Sequence, residues 1–445
     1  MSIKAEITNH GSHVGTLEES DERDYHFTYD ATNKGFPAPE SVSVTLPSSA
    51  LPYQADRLFG FFDGLIPEGW LLNITSHQWK IDKNDRMRLL LAVCGDCIGS
   101  VAVQSEVREP VEAVINDGAP LPPTQKLPPS TYCLCCLGKL THDEAHYHKA
   151  CAKSLFGSPH APIINATAHD IDRLGLEVVN QRLAVTGVQR KLSLSLDRNS
   201  GDLGGRLTIV GLWGEYILKP APAELPSMAA NEHLIMNIAS AMGIPVPPFG
   251  LIALQDGTFA YLVRRFDRVR QEHAAVAKVS VEDFGQIFDR NQGAQKYGSS
   301  YNQIGRWIKE HSSQPGLDVT RFFEHVLFSF LVGNSDLHLK NLSIFTQAGI
   351  RLTPCYDLVS VEALEPGDDE ELALPLGGKK NKLGGSDFES FATYLGITPK
   401  AYKNLSKRYK NLPNIAAALA AHAWIPDTEK DRLERLIAQR ASRLG

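Results

Sequence analysis

The chain has 445 residues, of which 43% are apolar and 22% charged, and its formal net charge is −6. This is the mix of a globular chain long enough to bury about three quarters of its unfolded surface, so it excludes a disordered chain and the need for disulfide staples. The charge weighs against a bulk nucleic-acid binder, leaving only a local basic patch open.

At roughly 150 residues per domain, the length suggests about three domains. The opening MSIKAEITNH is polar, without the pattern of a signal peptide. Apolar runs such as Leu89–Val93 and Ile415–Ala421 fall far below the ~18 residues of a membrane span. Seven cysteines are present: Cys94, Cys97, Cys133, Cys135, Cys136, Cys151 and Cys355. They are too few and too clustered for a disulfide framework, so a cytoplasmic chain with a bound metal is expected.

An N-terminal unit spans about 1–107. Alternation at Val42–Leu46 predicts a short strand, and Asp56–Phe62, Gly64–Trp70 and Arg86–Val93 read as helical. Residues 108–130 hold six prolines and no apolar period, the signature of an extended linker. A cysteine–histidine segment, 131–157, follows. Leu207–Ile209 and Glu215–Leu218 are expected to pair across Gly211 and Gly214. Ser227–Met242 has helical spacing, with Ser227 as N-cap and Gly243 as stop. Leu251–Leu254 and Phe259–Val263 flank a Gln255–Thr258 turn, a hairpin signal. Beyond about 270 the pattern is helical, as in Val319–Val332 and Thr428–Leu444. The charged runs Asp368–Glu371 and Lys379–Lys382 read as solvated loops.

The strongest chemical signal is GNSDLHLKN, Gly333–Asn341, followed by CYDLVS, Cys355–Ser360. Asp336 and Asn341 are five apart. Asp357 follows after one strand–turn–strand, Leu342–Phe345 and Ile350–Tyr356 about Gln347–Gly349. Phosphoryl transfer needs this order: a carboxylate near the attacking hydroxyl, then an amide oxygen and a second carboxylate on Mg²⁺. Lys340 and His338 are read as cations that offset phosphoryl charge. Any one of these residues is also consistent with a polar loop at a helix end; the ordered set is not. Upstream, Lys219 ends a strand, where it is placed to pair with phosphate oxygens, and Glu232 on the next helix is placed to orient it. The turn Thr186, Gly187, Val188, Gln189, Arg190 and Lys191 offers backbone N–H groups for phosphate, a weak signal by itself. In a two-lobed kinase the junction Arg264, Arg265, Phe266 holds the adenine.

Within 131–157, Cys133 and Cys136 form a CxxC, and His148 and Cys151 an HxxC twelve residues on. Four N/S ligands at this spacing suit structural Zn²⁺, with Cys135 and His146 as alternative ligands and free thiols as the plain reading. Cys94-Gly95-Asp96-Cys97 has no second ligand pair and reads as a turn.

TGVQRKLSL, YILKP, NEH, LVRRFD, GNSDLHLKN and YDLVS together resemble the HipA family of bacterial serine/threonine protein kinases, toxins of HipBA-type toxin–antitoxin systems. FFDGLIPEGW and CGDCIGSV resemble that family's N-terminal subdomain, and 160–445 its kinase core. The core is most similar to the HipT kinase of the three-component HipBST branch, here with a HipS-like subdomain fused. The resemblance implies an α+β, two-lobed kinase-like fold with an N-lobe at 158–266 and a helical C-lobe at 267–445; the zinc-knuckle-like insertion at 131–157 departs from the family, many members of which lack it. It implies Asp336 as catalytic residue, Asn341 and Asp357 on Mg²⁺, and Lys219 on the phosphates of ATP. Thr186–Lys191 would form the phosphate loop, Arg264–Phe266 the adenine wall, and His338 and Tyr356 the nucleotide flanks. It also implies a HipB-like DNA-binding antitoxin as partner and an aminoacyl-tRNA synthetase as target; the short apolar runs and the net charge lead us to expect neither membrane nor direct nucleic-acid contact. The family's regulatory serine is Ala184 here, which leaves Thr186 as the autophosphorylation candidate. Two other classes compete: a small-molecule phosphotransferase, sharing the Asp-x4-Asn logic, and an idle antitoxin-binding module, against which the intact Asp336, Asn341, Asp357 and Lys219 argue.

Overall fold

A computed structural model describes residues 2–30, 41–104, 130–170, 173, 175, 176, 179, 189–198, 204–208, 214–269, 276–367 and 369–444. Thr186, Gly187, Val188 and Ala184 lie outside these residues, as does the proline-rich stretch except Ser130.

The N-terminal unit is an antiparallel sheet of β1 (Ile3–Asn9), β2 (Ser12–Glu19), β3 (Tyr25–Tyr29), β4 (Tyr53–Ala55) and β5 (Val101–Gln104), in the order β4-β3-β2-β1-β5 among the described residues. His10 and Gly11, both at positive φ, make the two-residue turn between β1 and β2. Helices Gly60–Leu65, Gly69–Trp79 and Arg86–Val93 cover one face. Val42–Leu46 is a turn and not a strand: the Ser43 hydroxyl and the Val44 N–H donate to the buried Glu282 carboxylate at 2.6 and 2.8 Å. The Val44 bond uses a backbone N–H that a sheet ladder would need.

The second sheet contains β6 (Ile163–Ile164), β7 (Leu192–Asp197), β8 (Arg206–Thr208), β9 (Tyr216–Pro220), β10 (Phe249–Ala253) and β11 (Phe259–Arg264), in the order β10-β11-β9-β7-β8-β6 among the described residues. The expected pairing of β8 with β9 does not occur. β7 lies between them and bonds one on each edge, while its Leu192, Leu194 and Leu196 enter the core. β10 and β11 form the expected hairpin, closed by Leu254 N–H to the Thr258 carbonyl, with Gly257 at φ +82°.

The Met228–Ala241 helix packs against this hairpin. Ser227 precedes it without capping; its hydroxyl donates instead to Glu429 at 2.7 Å. The C-lobe is mostly helical, with a small antiparallel sheet of Val281–Asp283, Ser343–Phe345 and Arg351–Leu352, and is built around the buried Pro315–Val332 helix with Phe322, Phe323, Phe328 and Phe330 at its core. That helix stops at Gly333, φ +75°, where a Cβ would lie 2.5 Å from Leu436. The described residues of the charged runs are mostly exposed, as expected, and form ion pairs there: Lys380 with Glu370 at 2.9 Å, and Arg443 with Glu371 at 2.6 Å.

The N-terminal unit sits on the two lobes. Its apolar interior is continuous with that of β7, β9 and β11. Gly99 N–H donates to Asp267 at 2.9 Å, Arg268 donates to the Gly99 carbonyl at 3.0 Å, and Asn291 to the Gly60 carbonyl at 2.7 Å. The whole is an α+β, two-lobed kinase-like fold with an N-terminal α+β unit on one side.

Candidate active site

A cleft of about 880 Å³ lies between the lobes. Gln189, Arg190, Lys191, Lys219, Arg264, Arg265, Phe266, Asp336, His338, Lys340, Asn341, Tyr356 and Asp357 all border it.

The segment Asp336–Asn341 presents its chemistry by alternation. Leu337 and Leu339 are fully buried in the C-lobe, which turns Asp336, His338 and Lys340 toward the cleft. The turn is tied by His338 N–H to the Asp336 carbonyl at 2.8 Å and by Asn341 Nδ2 to that same carbonyl at 3.0 Å. With Nδ2 so engaged, Oδ1 is the Asn341 atom offered to a cation. Tyr297 donates its hydroxyl to Asp336 Oδ1 at 2.8 Å. Burial raises the Asp336 carboxyl above the ordinary range, with the Tyr297 bond and Lys296 pulling the other way.

Across the cleft, Lys219 Nζ donates to Glu232 Oε1 at 2.6 Å and to Asp357 Oδ1 at 2.5 Å. Burial works against the ammonium, but the two carboxylates outweigh it and hold its pKa above the usual lysine value. Burial lifts Glu232 to about 7, against the pull of Lys219. Burial would lift Asp357 as well, but Lys219 and then Lys191 hold it well below the usual carboxylate range. Asp357 has φ +57°, a strained backbone that turns its side chain to the lysine. The amide oxygen of Asn341 and the carboxylate of Asp357 are hard oxygen donors, the set that fits Mg²⁺.

Of the two residues expected as cations, one differs and the other is paired. Burial depresses His338 to about 3, so it is neutral at pH 7. Lys340 is paired with Glu68 of the N-terminal unit at 2.6 Å. Arg265 borders the cleft, yet its guanidinium is spent on Asp267, Ser193 and the Cys97 carbonyl. Phe266 packs against Tyr356, with ring centroids 5.6 Å apart, and the Tyr356 hydroxyl donates to the Lys340 carbonyl. Arg190 lies 5.9 Å from the Trp70 ring.

Glu68, Trp70 and Tyr297 are members of this site that sequence reasoning did not single out. Glu68 and Trp70 lie in the FFDGLIPEGW motif, whose charged and aromatic end was the available signal. Nothing in the local sequence marks Tyr297.

Behind the N-lobe, ligand atoms of Cys133, Cys136, His148 and Cys151 all lie within 4.8 Å of one another. Among the described residues this is the one such group. Cys135 and His146, the alternatives, are outside it. Cys94 and Cys97 are buried, and the Cys94 thiol faces the Leu65 carbonyl.

A family model for the HipA-like C-terminal domain matches residues 183–416, and one for the HipA N-terminal domain matches 5–104. The chain belongs to the HipA family. Among HipA-like relatives, "Putative kinase Y4mE" of Sinorhizobium fredii is 28% identical over 384 residues, 85% of this chain and 82% of that protein. The "Serine/threonine-protein kinase toxin HipA" of Shewanella oneidensis is 23% identical over 429 residues, 91% of this chain and 86% of that one. In fold, the chain is similar to one from the Shewanella oneidensis MR-1 complex of HipA, HipB and its operator DNA. The TM-score is 0.66 at 20% identity, covering 99% of this chain and 96% of that chain. The two lobes and the N-terminal unit of the HipA fold are thus all present here. None of the helices among the described residues is long and apolar enough to cross a membrane.

Proposed function

We propose that this HipA-family chain is an ATP- and Mg²⁺-dependent kinase that phosphorylates serine or threonine on another protein. The observation that carries the reading is Lys219, held between Glu232 and Asp357 in a cleft that also presents Asp336 and Asn341. Asn341 and Asp357 would hold Mg²⁺, Lys219 and the segment 186–191 the phosphates, and Arg264–Phe266 with Tyr356 the adenine. Bound Mg²⁺–ATP supplies the transferable phosphoryl group and offsets its charge. Asp336 accepts the proton of the attacking hydroxyl, and Tyr297 fixes the rotamer of that carboxylate.

The solved HipA–HipB–operator complex supports a HipB-like DNA-binding antitoxin as partner. The family resemblance supports a cytoplasmic translation component, such as an aminoacyl-tRNA synthetase, as target. Three thiols and one imidazole suit Zn²⁺ in the Cys133–Cys151 cluster. Radiolabelled ATP added with the protein to a cell lysate tests the reading: one or a few labelled protein bands are expected. Label confined to small molecules would replace it with a small-molecule phosphotransferase.

A further inference from the structure

The cysteine–histidine cluster is far in sequence from the catalytic loop, yet it grips the helix that carries Glu232. The Cys135 carbonyl lies inside the CxxC turn. It accepts from His233 Nε2 at 2.8 Å and from Asn237 Nδ2 at 2.9 Å, both on the Met228–Ala241 helix and both buried. His233 directly follows Glu232. The Leu134 carbonyl accepts the Leu251 N–H of β10 at 2.7 Å, and the Tyr147 hydroxyl donates to the Leu251 carbonyl at 2.7 Å. Gly250 allows this close approach, since a Cβ there would meet the Cys135 sulfur at 2.9 Å. On the other side Tyr132 stacks on His422 of the C-lobe, with centroids 4.1 Å apart. The segment therefore joins the N-lobe sheet, the Glu232 helix and the C-lobe.

The cluster is built as a metal site. His148 Nδ1 faces the sulfurs of Cys136 and Cys151 at 3.3 and 3.8 Å. Its Nε2 lies 3.1 Å from the Lys139 carbonyl, so the proton sits on Nε2 and the Nδ1 lone pair faces the thiols. The Cys133 sulfur accepts N–H bonds from Cys135 and His148, both at 3.4 Å.

We propose that Zn²⁺ held by Cys133, Cys136, His148 and Cys151 is a brace: through the Cys135 carbonyl it fixes the Met228–Ala241 helix, and metal occupancy thereby sets whether Glu232 engages Lys219. With the ion bound, the chelate ring through Cys133 and Cys136 holds the carbonyl between them in place. Without it, that turn keeps only its backbone bonds, and the helix loses the fixed acceptor for two buried donors. Each such bond contributes about one decade or less of local stability, so the helix should open about tenfold more often. The consequence for phosphoryl transfer rests on the kinase reading; the consequence for the helix does not.

The test uses the full chain, elemental analysis, and hydrogen–deuterium exchange of the Met228–Ala241 amides. Freshly purified protein should carry about one zinc. Chelation should raise exchange in that helix about tenfold, leave the Pro315–Val332 helix unchanged, and be reversed by added Zn²⁺. Asn237→Leu removes one donor to the Cys135 carbonyl; it should keep the zinc and exchange faster with the metal bound. Cys136→Ser with Cys151→Ser should lose the zinc and match the chelated protein. Protein without zinc, or chelated protein whose helix exchanges as before, overturns the brace. So does an equal rise in Pro315–Val332, which means global unfolding. Exchange needs no catalysis, so it decides the brace even for a wild type that transfers no phosphate, a result that would overturn the kinase reading instead.

Discussion

Replacing Lys219 by Met leaves Glu232 and Asp357 facing each other with no cation between them. The lysine side chain is 6% exposed and that of Glu232 is 0%. Removing one partner of such a buried pair costs about 3–5 kcal/mol, because the charge left behind is uncompensated. The cost must depend on pH. Glu232 titrates at about 7 in the intact site, against an ordinary value of 4.5. A carboxyl raised in this way gives its full contribution to stability below the unfolded value and loses it as pH rises through the folded one. Between pH 6 and 8 a group titrating at 7 loses about 1.4 kcal/mol of stability; one pushed above that window loses about 2.7. Without the lysine Glu232 moves above the window, so the penalty of Lys219→Met should be about 1 kcal/mol larger at pH 8 than at pH 6. Urea unfolding at the two pH values measures this. A penalty below about 1 kcal/mol at pH 8, or one that shrinks as pH rises, would refute the buried triad.

Tyr297→Phe removes the hydroxyl that donates to Asp336. The Asp336 carboxyl should then titrate higher, moving the acid limb of the pH–rate profile upward and lowering the rate about tenfold at pH 7; an unmoved limb would show that Tyr297 has no positioning role. Glu282 is raised to about 7 by burial under the N-terminal unit. Glu282→Gln should therefore stabilise the protein, with an advantage that grows by about 1 kcal/mol from pH 6 to 8; thermal unfolding showing a flat or falling advantage would contradict it.

The Asp336–Asn341 half of the candidate site was legible because its geometry is local. In Asp336–Asn341 alternation alone sorts Leu337 and Leu339 inward and the polar residues toward the cleft. The Met228–Ala241 helix and the β10–β11 hairpin were legible for the same reason: periodicity and turn chemistry act over a few residues. What was missed depends on distant chain. Val42–Leu46 alternates like a strand, but Glu282 takes its backbone and hydroxyl groups. β8 and β9 are neighbours in sequence, but β7 comes between them. His338 reads as a cation until its burial is known, and the pairing of Lys340 with Glu68 of the other unit has no local signal. The Cys133–Cys151 spacing picked out the four residues that the fold brings together, yet the bonds from His233 and Asn237 to Cys135, about a hundred residues away, carry no sequence signal.

Asp336 is the residue we propose as base in phosphoryl transfer to protein. The most direct test compares wild type with Asp336→Asn for ³²P transfer from ATP to lysate protein, at equal Mg²⁺ and with equal folding by circular dichroism. Asp336→Asn should lose at least ~10²-fold in rate, the scale of a lost general base, while still binding ATP. Transfer at a near-normal rate by Asp336→Asn would contradict the account.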